Sequence, residues 1–539
     1  LLLHECIGRP VTTRTRLGQS FVFPSLPARD RLIAISLPLL LLAACTSPAE
    51  KAAEEAALAQ TLFDAGNLPL ARAAVSRALS HGGDSADILL LDARIKMRMQ
   101  DWGPAYEAYR TVLVFQPNNL EALSVVARLG LTSGEKEVAR DALDRGLKLA
   151  PGDPELLLTA GVMSLGEEDY ADALRRADRI LAASPGDPRG LALRARALTL
   201  TGRGGEALGL LRAQIAETGN DPTIASALLE VARAQGDVPT MLEQFALLVA
   251  ANPDSSELVL DEINVRYKSG DAAGARFAAR DFIARFGAEG ETMARLLTLW
   301  EEYDPAPLAP DQIATLAAGG AIEARLAAAR FHLDRGKLGE AQALLAGSDD
   351  PRAAGLLARV RLRQGDAGGV AAARRIAEKD QTNCEALTAI AEHELAKGRV
   401  DAAVIPAQVV ATQCRDRIDG YVILADAYAR AKRPAAVERV SRDGIDAHPL
   451  DPRLTRRFAE WLVARGRAAS AVAAARRLTT VTPSRESSWR VLASVCQRAN
   501  NSVCAGDAAR GLARARTTYQ LDPLPGVRRP DPLFGRTWR

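Results

Sequence analysis

The feature that most constrains this chain is a 34-residue beat. Stepping by 34 meets Gly66, Gln100, Gly134, Glu168, Gly202, Gly236 and Gly270, and five residues after each stand Ala71, Ala105, Ala139, Ala173, Ala207, Met241 and Ala275. A second row at the same interval is Pro117, Pro151, Pro185, Gly219, Pro253 and Gly287. Glycine lets the chain reverse, small alanine lets a second helix approach the first, and proline cannot continue a helix. Each interval is therefore expected to hold one helical hairpin. Between the marks lie apolar sets at helical spacing, such as Leu120, Leu123, Val126 and Ala127, then Val138, Ala142, Leu143 and Leu147.

Composition points the same way. The chain is 48% hydrophobic but only 4% aromatic, with Ala and Leu supplying most of the apolar count, which is helix-former chemistry and argues against a β-sandwich, a barrel or a disordered chain. Few rings remain for stacking bases, and the net charge of +3 creates no global field for nucleic acid. At 539 residues one core would be too large, so a repeat array fits the length.

On these rows the chain resembles the tetratricopeptide repeat (TPR) family, whose small first-helix positions match Ala93, Ala127, Gly161 and Ala195 and whose closing proline matches the second row. The resemblance implies an all-α fold, a right-handed superhelical solenoid of TPR-like helical hairpins. Seven repeats are expected over 52–289. The register then breaks over 290–320, with Trp300, Pro305, Pro307, Pro310 and Gly319-Gly320, which reads as a degenerate repeat or a bend. Gly336 and Gly365 restart it irregularly, with Ala341 and Val370 five residues on; Gly398, Lys432, Gly466 and Asn500 resume the beat, followed by Ala403, Val437, Ala471 and Ala505. Six repeats are expected over 321–519, and the proline-rich, arginine-rich segment 520–539 reads as an extended tail.

Residues 1–44 read as an address. The chain opens without Met and its first Met is Met97, so residues 1–28 read as translated leader. Arg29 and Arg31 then precede an apolar run over 32–44, too short for a membrane-spanning helix of roughly 20 residues and built like a signal peptide. Leu42-Ala43-Ala44-Cys45 resembles the bacterial lipobox. That resemblance implies lipidation of Cys45, a linker over 45–51, and, with Thr46 rather than Asp following, an outer-membrane anchor facing the periplasm. The alternative is an ordinary cleaved signal with a chance cysteine.

An exported chain meets oxidising conditions, and four cysteines remain after Cys45. Cys384 and Cys414 are symmetric about residue 399, and Cys496 and Cys504 about residue 500, both expected hairpin turns. Antiparallel helices place such residues side by side, so the expected disulfides are Cys384–Cys414 and Cys496–Cys504; four buried thiols are the alternative. No metal site is expected, since no CxxC or nearby His completes a ligand set.

No catalytic constellation emerges, so neither an enzyme nor a cofactor is expected. His393-Glu394 begins like a zincin motif, but Lys397 stands where the second His belongs. Gly336-Lys337-Leu338 lacks the Ser or Thr of a phosphate loop, and Gly202-Arg203-Gly204 has no preceding strand. The TPR resemblance implies instead a concave groove for protein or peptide partners, lined by the residue after the small first-helix position: Arg94, Arg128, Val162, Arg196, Glu230 and Asn264. A solvated face explains the same column. The carboxylate clamp of chaperone-binding TPRs is not evident, since Leu90, Ser124 and Leu158 occupy one of its columns.

Charge is divided unevenly. Residues 453–539 hold seventeen Arg, no Lys and five acidic residues, while 45–452 carry about −12. Either the arginine bias of a GC-rich coding sequence or a basic surface accounts for this. The leading expectation is a non-catalytic TPR lipoprotein that scaffolds envelope assembly, in exopolysaccharide export or pilus biogenesis. The alternative is binding of an anionic glycan or peptidoglycan by Arg453, Arg456, Arg457, Arg465, Arg467, Arg476 and Arg477.

Overall fold

A computed structural model describes residues 47–82, 85–219, 221–414 and 417–523. The leader at 1–44, Cys45 and the tail beyond 523 lie outside the described residues. The described residues up to Ile95 and those from Lys96 onward form two compact units. Among the described residues there are twenty-eight α-helices and no strand, so the fold is all-α.

In the first unit α1 (Pro48–Asp64) and α2 (Leu68–Ser80) pack as a hairpin and α3 (Ala86–Arg98) begins. Small residues make the contact close: Ala52, Ala59, Ala71, Ala74 and Ala78 are all buried. The Ser47 hydroxyl accepts from the Glu50 N–H while the Glu50 carboxylate accepts from the Ser47 N–H, and Pro48 opens the helix. This cap starts the helix inside the expected 45–51 linker, whose residues 48–51 are helical.

The second unit continues with α4 (Trp102–Phe115), α5 (Leu120–Ser133), α6 (Lys136–Leu149), α7 (Pro154–Gly166), α8 (Tyr170–Ala183), α9 (Pro188–Leu200) and α10 (Gly204–Thr218). Next come α11 (Pro222–Gln235), α12 (Val238–Ala251), α13 (Ser256–Lys268), α14 (Ala272–Phe286), α15 (Gly290–Tyr303) and α16 (Pro310–Gly319). Then follow α17 (Ile322–Asp334), α18 (Leu338–Leu345), α19 (Pro351–Arg363), α20 (Gly368–Lys379), α21 (Cys384–Ala396) and α22 (Val400–Gln413). The last are α23 (Asp419–Arg430), α24 (Pro434–Ala447), α25 (Pro452–Val463), α26 (Ala468–Val481), α27 (Glu486–Arg498) and α28 (Ser502–Thr517).

The beat has a backbone cause. Each of its marks is left-handed, at φ between 51° and 90°, including the non-glycines Gln100, Glu168, Lys432 and Asn500. The residue after each mark donates its N–H back across the turn, as Glu135 does to the Gly130 carbonyl and Asp169 to the Ser164 carbonyl, the Schellman closure that ends the first helix. Five residues on, Ala105, Ala139, Ala173, Ala207, Met241, Ala275, Ala341, Ala403 and Ala471 are completely buried. Two later positions differ from the expected row: Val370 and Ala505 are half-buried, and the adjacent Gly369 and Cys504 take the tight place. The second row stands one or two residues past the ends of α4, α6, α8, α10, α12 and α14. Its carbonyls tie one hairpin to the next, since Arg145, Arg179 and Arg285 donate to those of Pro117, Pro151 and Pro253.

The segment 290–320 is a hairpin with a long connection. Asp304, 2% exposed, pins that connection by accepting from Arg276 Nε (2.7 Å), Arg276 Nη2 (2.9 Å), the Tyr267 hydroxyl (3.0 Å) and the Ala306 N–H (3.0 Å). Trp300 is completely buried, edge-on to Phe331, and one apolar core runs without a break from Val259 to Val360. First helices lie side by side, α5 with α7, α7 with α9, α9 with α11, and onward from α13 to α23, so one face of this unit is built from first helices alone.

Candidate functional site

From Arg128 to Asn264 the expected groove column stands on that face, and its members differ; Arg94 belongs to the first unit. Arg94, on α3, is half-buried. Arg128 on α5 is also half-buried, and burial pulls its guanidinium below the usual arginine range; it makes no ion pair or side-chain hydrogen bond among the described residues. Arg196 on α9 grips Glu230 on α11 with both ends of its fork, at 2.9 and 3.0 Å, one 34-residue step away. Such a bidentate pair satisfies both groups internally. Asn264 on α13 is only 2% exposed, and its amide donates to the carbonyl of Tyr519 at 2.8 Å.

Every column member sits six residues before its turn mark, and the same offset from Gly336, Gly365 and Gly398 identifies three residues missed by following the 34-residue step alone: Arg330, Arg359 and Glu392. They anchor a buried charge network. Arg359, 3% exposed, donates to Glu392 at 2.7 Å and Asp419 at 2.8 Å. Glu385, 1% exposed, accepts from Arg330 at 2.6 Å and is paired with Arg417, which also grips Asp419 at 2.7 Å. Burial alone would raise the Glu385 carboxyl, but Arg417, Arg330 and Arg359 outweigh it and hold the group at about 2; Arg417 and Arg359 hold Asp419 well below its usual range. Spacing hid this network, because the turns at 336, 365 and 398 are 29 and 33 residues apart rather than 34.

The C-terminal helices return to the middle ones. The ammonium of Lys268, at the end of α13, donates to the carbonyls of Ser484 at 2.9 Å, Ala515 at 2.7 Å and Thr518. Desolvation pulls it down to about 8. The Ser487 N–H meets Glu302 at 2.7 Å, and Arg453 on α25 reaches Asp334 at 3.4 Å and Glu301 at 3.6 Å. The expected extended tail begins within this contact: Tyr519 packs against the α11–α12 core, Leu521 against the α13–α19 core, the Leu521 N–H donates to Asp261 at 3.2 Å, and Asp522 accepts from the Ser484 N–H at 3.0 Å. Asn264, expected to face a partner, is therefore covered by the chain itself. Sequence distance concealed this, since Asn264 and Tyr519 are 255 residues apart.

The expected basic surface is largely neutralised. Arg453 pairs with Asp451, Arg457 with Asp426, Arg467 with Glu438, Arg476 with Asp507 and Arg477 with Asp446. Arg465 lies over the Trp461 ring at 4.1 Å, while Arg456 is exposed and has no ion pair among the described residues. The acidic excess of 45–452 and the basic excess after it meet because successive hairpins set their helices side by side.

Cys384 is joined to Cys414 and Cys496 to Cys504, at Cα separations of 6.1 and 5.5 Å. His332 is buried, with both ring nitrogens unpartnered among the described residues, and desolvation pushes it down to about 4. Among the described residues no group of three His, Cys, Asp or Glu could hold a metal, and no helix is long and apolar enough to cross a membrane.

A comparison with curated proteins finds no match. Among solved structures the chain is similar to a tetratricopeptide repeat protein from Parabacteroides merdae ATCC 43184, with 18% identity, 46% of this chain and 98% of that one covered, and a TM-score of 0.40. It is also similar to PilW, described as a widely conserved type IV pilus biogenesis factor, with 21% identity, 38% and 96% coverage and a TM-score of 0.33. A third is YrrB, described as a TPR protein with an unusual peptide-binding site, with 16% identity, 33% and 91% coverage and a TM-score of 0.30. Residues 164–230 match the family model described as tetratricopeptide repeat, and the chain is an all-α array of TPR-like helical hairpins.

Proposed function

We propose that this chain is a non-catalytic scaffold that grips protein partners on its first-helix face, anchored through lipidated Cys45 to the outer membrane and facing the periplasm, in the assembly of a cell-envelope machine such as an exopolysaccharide exporter or a pilus. The carrying observation is the state of Arg128. It is half-buried on the first-helix face without an ion partner among the described residues, whereas Arg196 is matched by Glu230 and Asn264 is covered. A desolvated guanidinium with no carboxylate in contact, Glu155 acting on it only at a distance, favours a carboxylate brought by a partner. The lipobox resemblance supports the anchor.

The second reading is an anionic glycan at the C-terminal arginines. Arg456 favours it, but five of the seven arginines proposed for it already hold carboxylates. The test is capture of partners from detergent-solubilised membranes with the full chain, followed by protein and glycan analysis of the eluate. Arg128→Glu is expected to lose a protein that Arg456→Glu retains. Retention of every partner by Arg128→Glu, with salt-sensitive glycan lost from Arg456→Glu, would replace the first reading with the second.

A further inference from the structure

The segment Tyr519–Asp522, which bends at Gln520, is held as a docked peptide is held. Its main chain is read at alternate residues by one helix face: Asn264 donates to the Tyr519 carbonyl and, one turn earlier on α13, Asp261 accepts from the Leu521 N–H. Its side chains part around the bend, with Tyr519 packed against the core that holds Leu229, Met241 and Phe245, Gln520 exposed, and Leu521 packed on the next core. Asp522 closes the series with a side chain 4% exposed, accepting from the Ser484 N–H at 3.0 Å, with Arg485 at 3.9 Å and one carboxylate oxygen without a hydrogen bond among the described residues. Sequence is read by two apolar seats and one acid seat, while the main-chain bonds to Asn264 and Asp261 accept any residue between them.

We propose that Tyr519–Asp522 is a built-in occupant of the α13 face, and that this face receives a partner segment of the pattern aromatic-x-leucine-aspartate, which binds by displacing it. The inference rests on the reading of the first-helix face as the partner surface, and it adds the sequence class of the partner and the contact that withholds the site. Displacement is feasible because the bound stretch is four residues long, and because two of its polar contacts are made by side chains of α13 that stay in place when it leaves. Tethering sets the barrier: a segment joined to its own receptor acts at an effective concentration on the order of millimolar, which masks a partner of modest affinity.

The probe is the capped heptapeptide Thr-Thr-Tyr-Gln-Leu-Asp-Pro, identical to residues 517–523. Added to the wild-type full chain at up to about 5 mM, it should raise hydrogen exchange at the Leu521 amide severalfold while leaving α21 unchanged. A fluorescent form should bind Tyr519→Ala/Leu521→Ala at least about tenfold more tightly than wild type, and adding Asn264→Ala should remove that gain. A Leu521 amide whose exchange ignores the peptide at every concentration overturns the proposal and makes the segment a fixed strut; this measurement uses no variant and so does not depend on one folding. Peptide binding that persists undiminished in the Asn264→Ala triple variant also overturns it. Arg128-dependent partner capture is scored separately, so its loss rejects the scaffold reading while a silent peptide with capture intact rejects the built-in occupant alone.

Discussion

Glu385→Gln removes one charge from the buried network and keeps the shape of the side chain. In the folded chain Glu385 is 1% exposed and surrounded by Arg330, Arg359 and Arg417, which hold it at about 2 against an ordinary value of 4.5. At about 1.4 kcal/mol per tenfold change in proton affinity, that difference is worth about 3 kcal/mol at neutral pH. Removing one partner of a buried ionic cluster typically costs about 3–5 kcal/mol, in agreement. The sign follows from linkage: the folded value is depressed, so the contribution is fully present above 4.5, falls to about 1.5 kcal/mol at pH 3, and vanishes below 2. Stacked hairpins open locally, so the assay is native-state hydrogen exchange of the α21 and α23 amides, expressed as protection relative to the unstructured chain. The variant should lose about 100-fold protection at pH 7, and the gap to wild type should narrow to about tenfold at pH 3. A loss under threefold, or the same gap at both pH values, would refute the reasoning.

Further outcomes are expected elsewhere. His332 is held neutral by burial at about 4, so the folded state loses stability as pH falls from about 6.5, by about 2 kcal/mol at pH 5; His332→Leu should flatten the denaturation midpoint across that window. Glu168 adopts φ 63° at a turn where most repeats have glycine, so Glu168→Gly should raise local stability by about 1 kcal/mol, and a destabilised α7–α8 hairpin by hydrogen exchange would contradict this. Peptide mapping of non-reduced protein should link Cys384 to Cys414 and Cys496 to Cys504, and reduction should cost about 3–4 kcal/mol for the first and about 2–3 for the second; four alkylatable thiols in native protein would reject both pairs. Cys45→Ala should abolish palmitate labelling and release the chain from the outer-membrane fraction, and a variant that still sediments would reject the lipid anchor.

The hairpin array was legible because its cause is local and repeats. A left-handed residue at Gly134 or Gly202 is needed to reverse the chain, a small side chain at Ala139 or Ala207 is needed for the second helix to close, and neither requirement depends on distant residues. The first-helix column could be placed on its helices from the sequence, but its occupancy could not. Arg196 could be placed one residue past Ala195 on its helix, yet that Glu230 would neutralise it depends on the lateral packing of α9 against α11. The charge asymmetry misled for the same reason, since composition cannot show that Arg457 stands beside Asp426. Only the tertiary structure decided what fills the face of α13. Local rules set the path of each hairpin, but the return of Tyr519 to Asn264 is the sum of many small rotations between successive hairpins, and no local pattern in either segment records that sum.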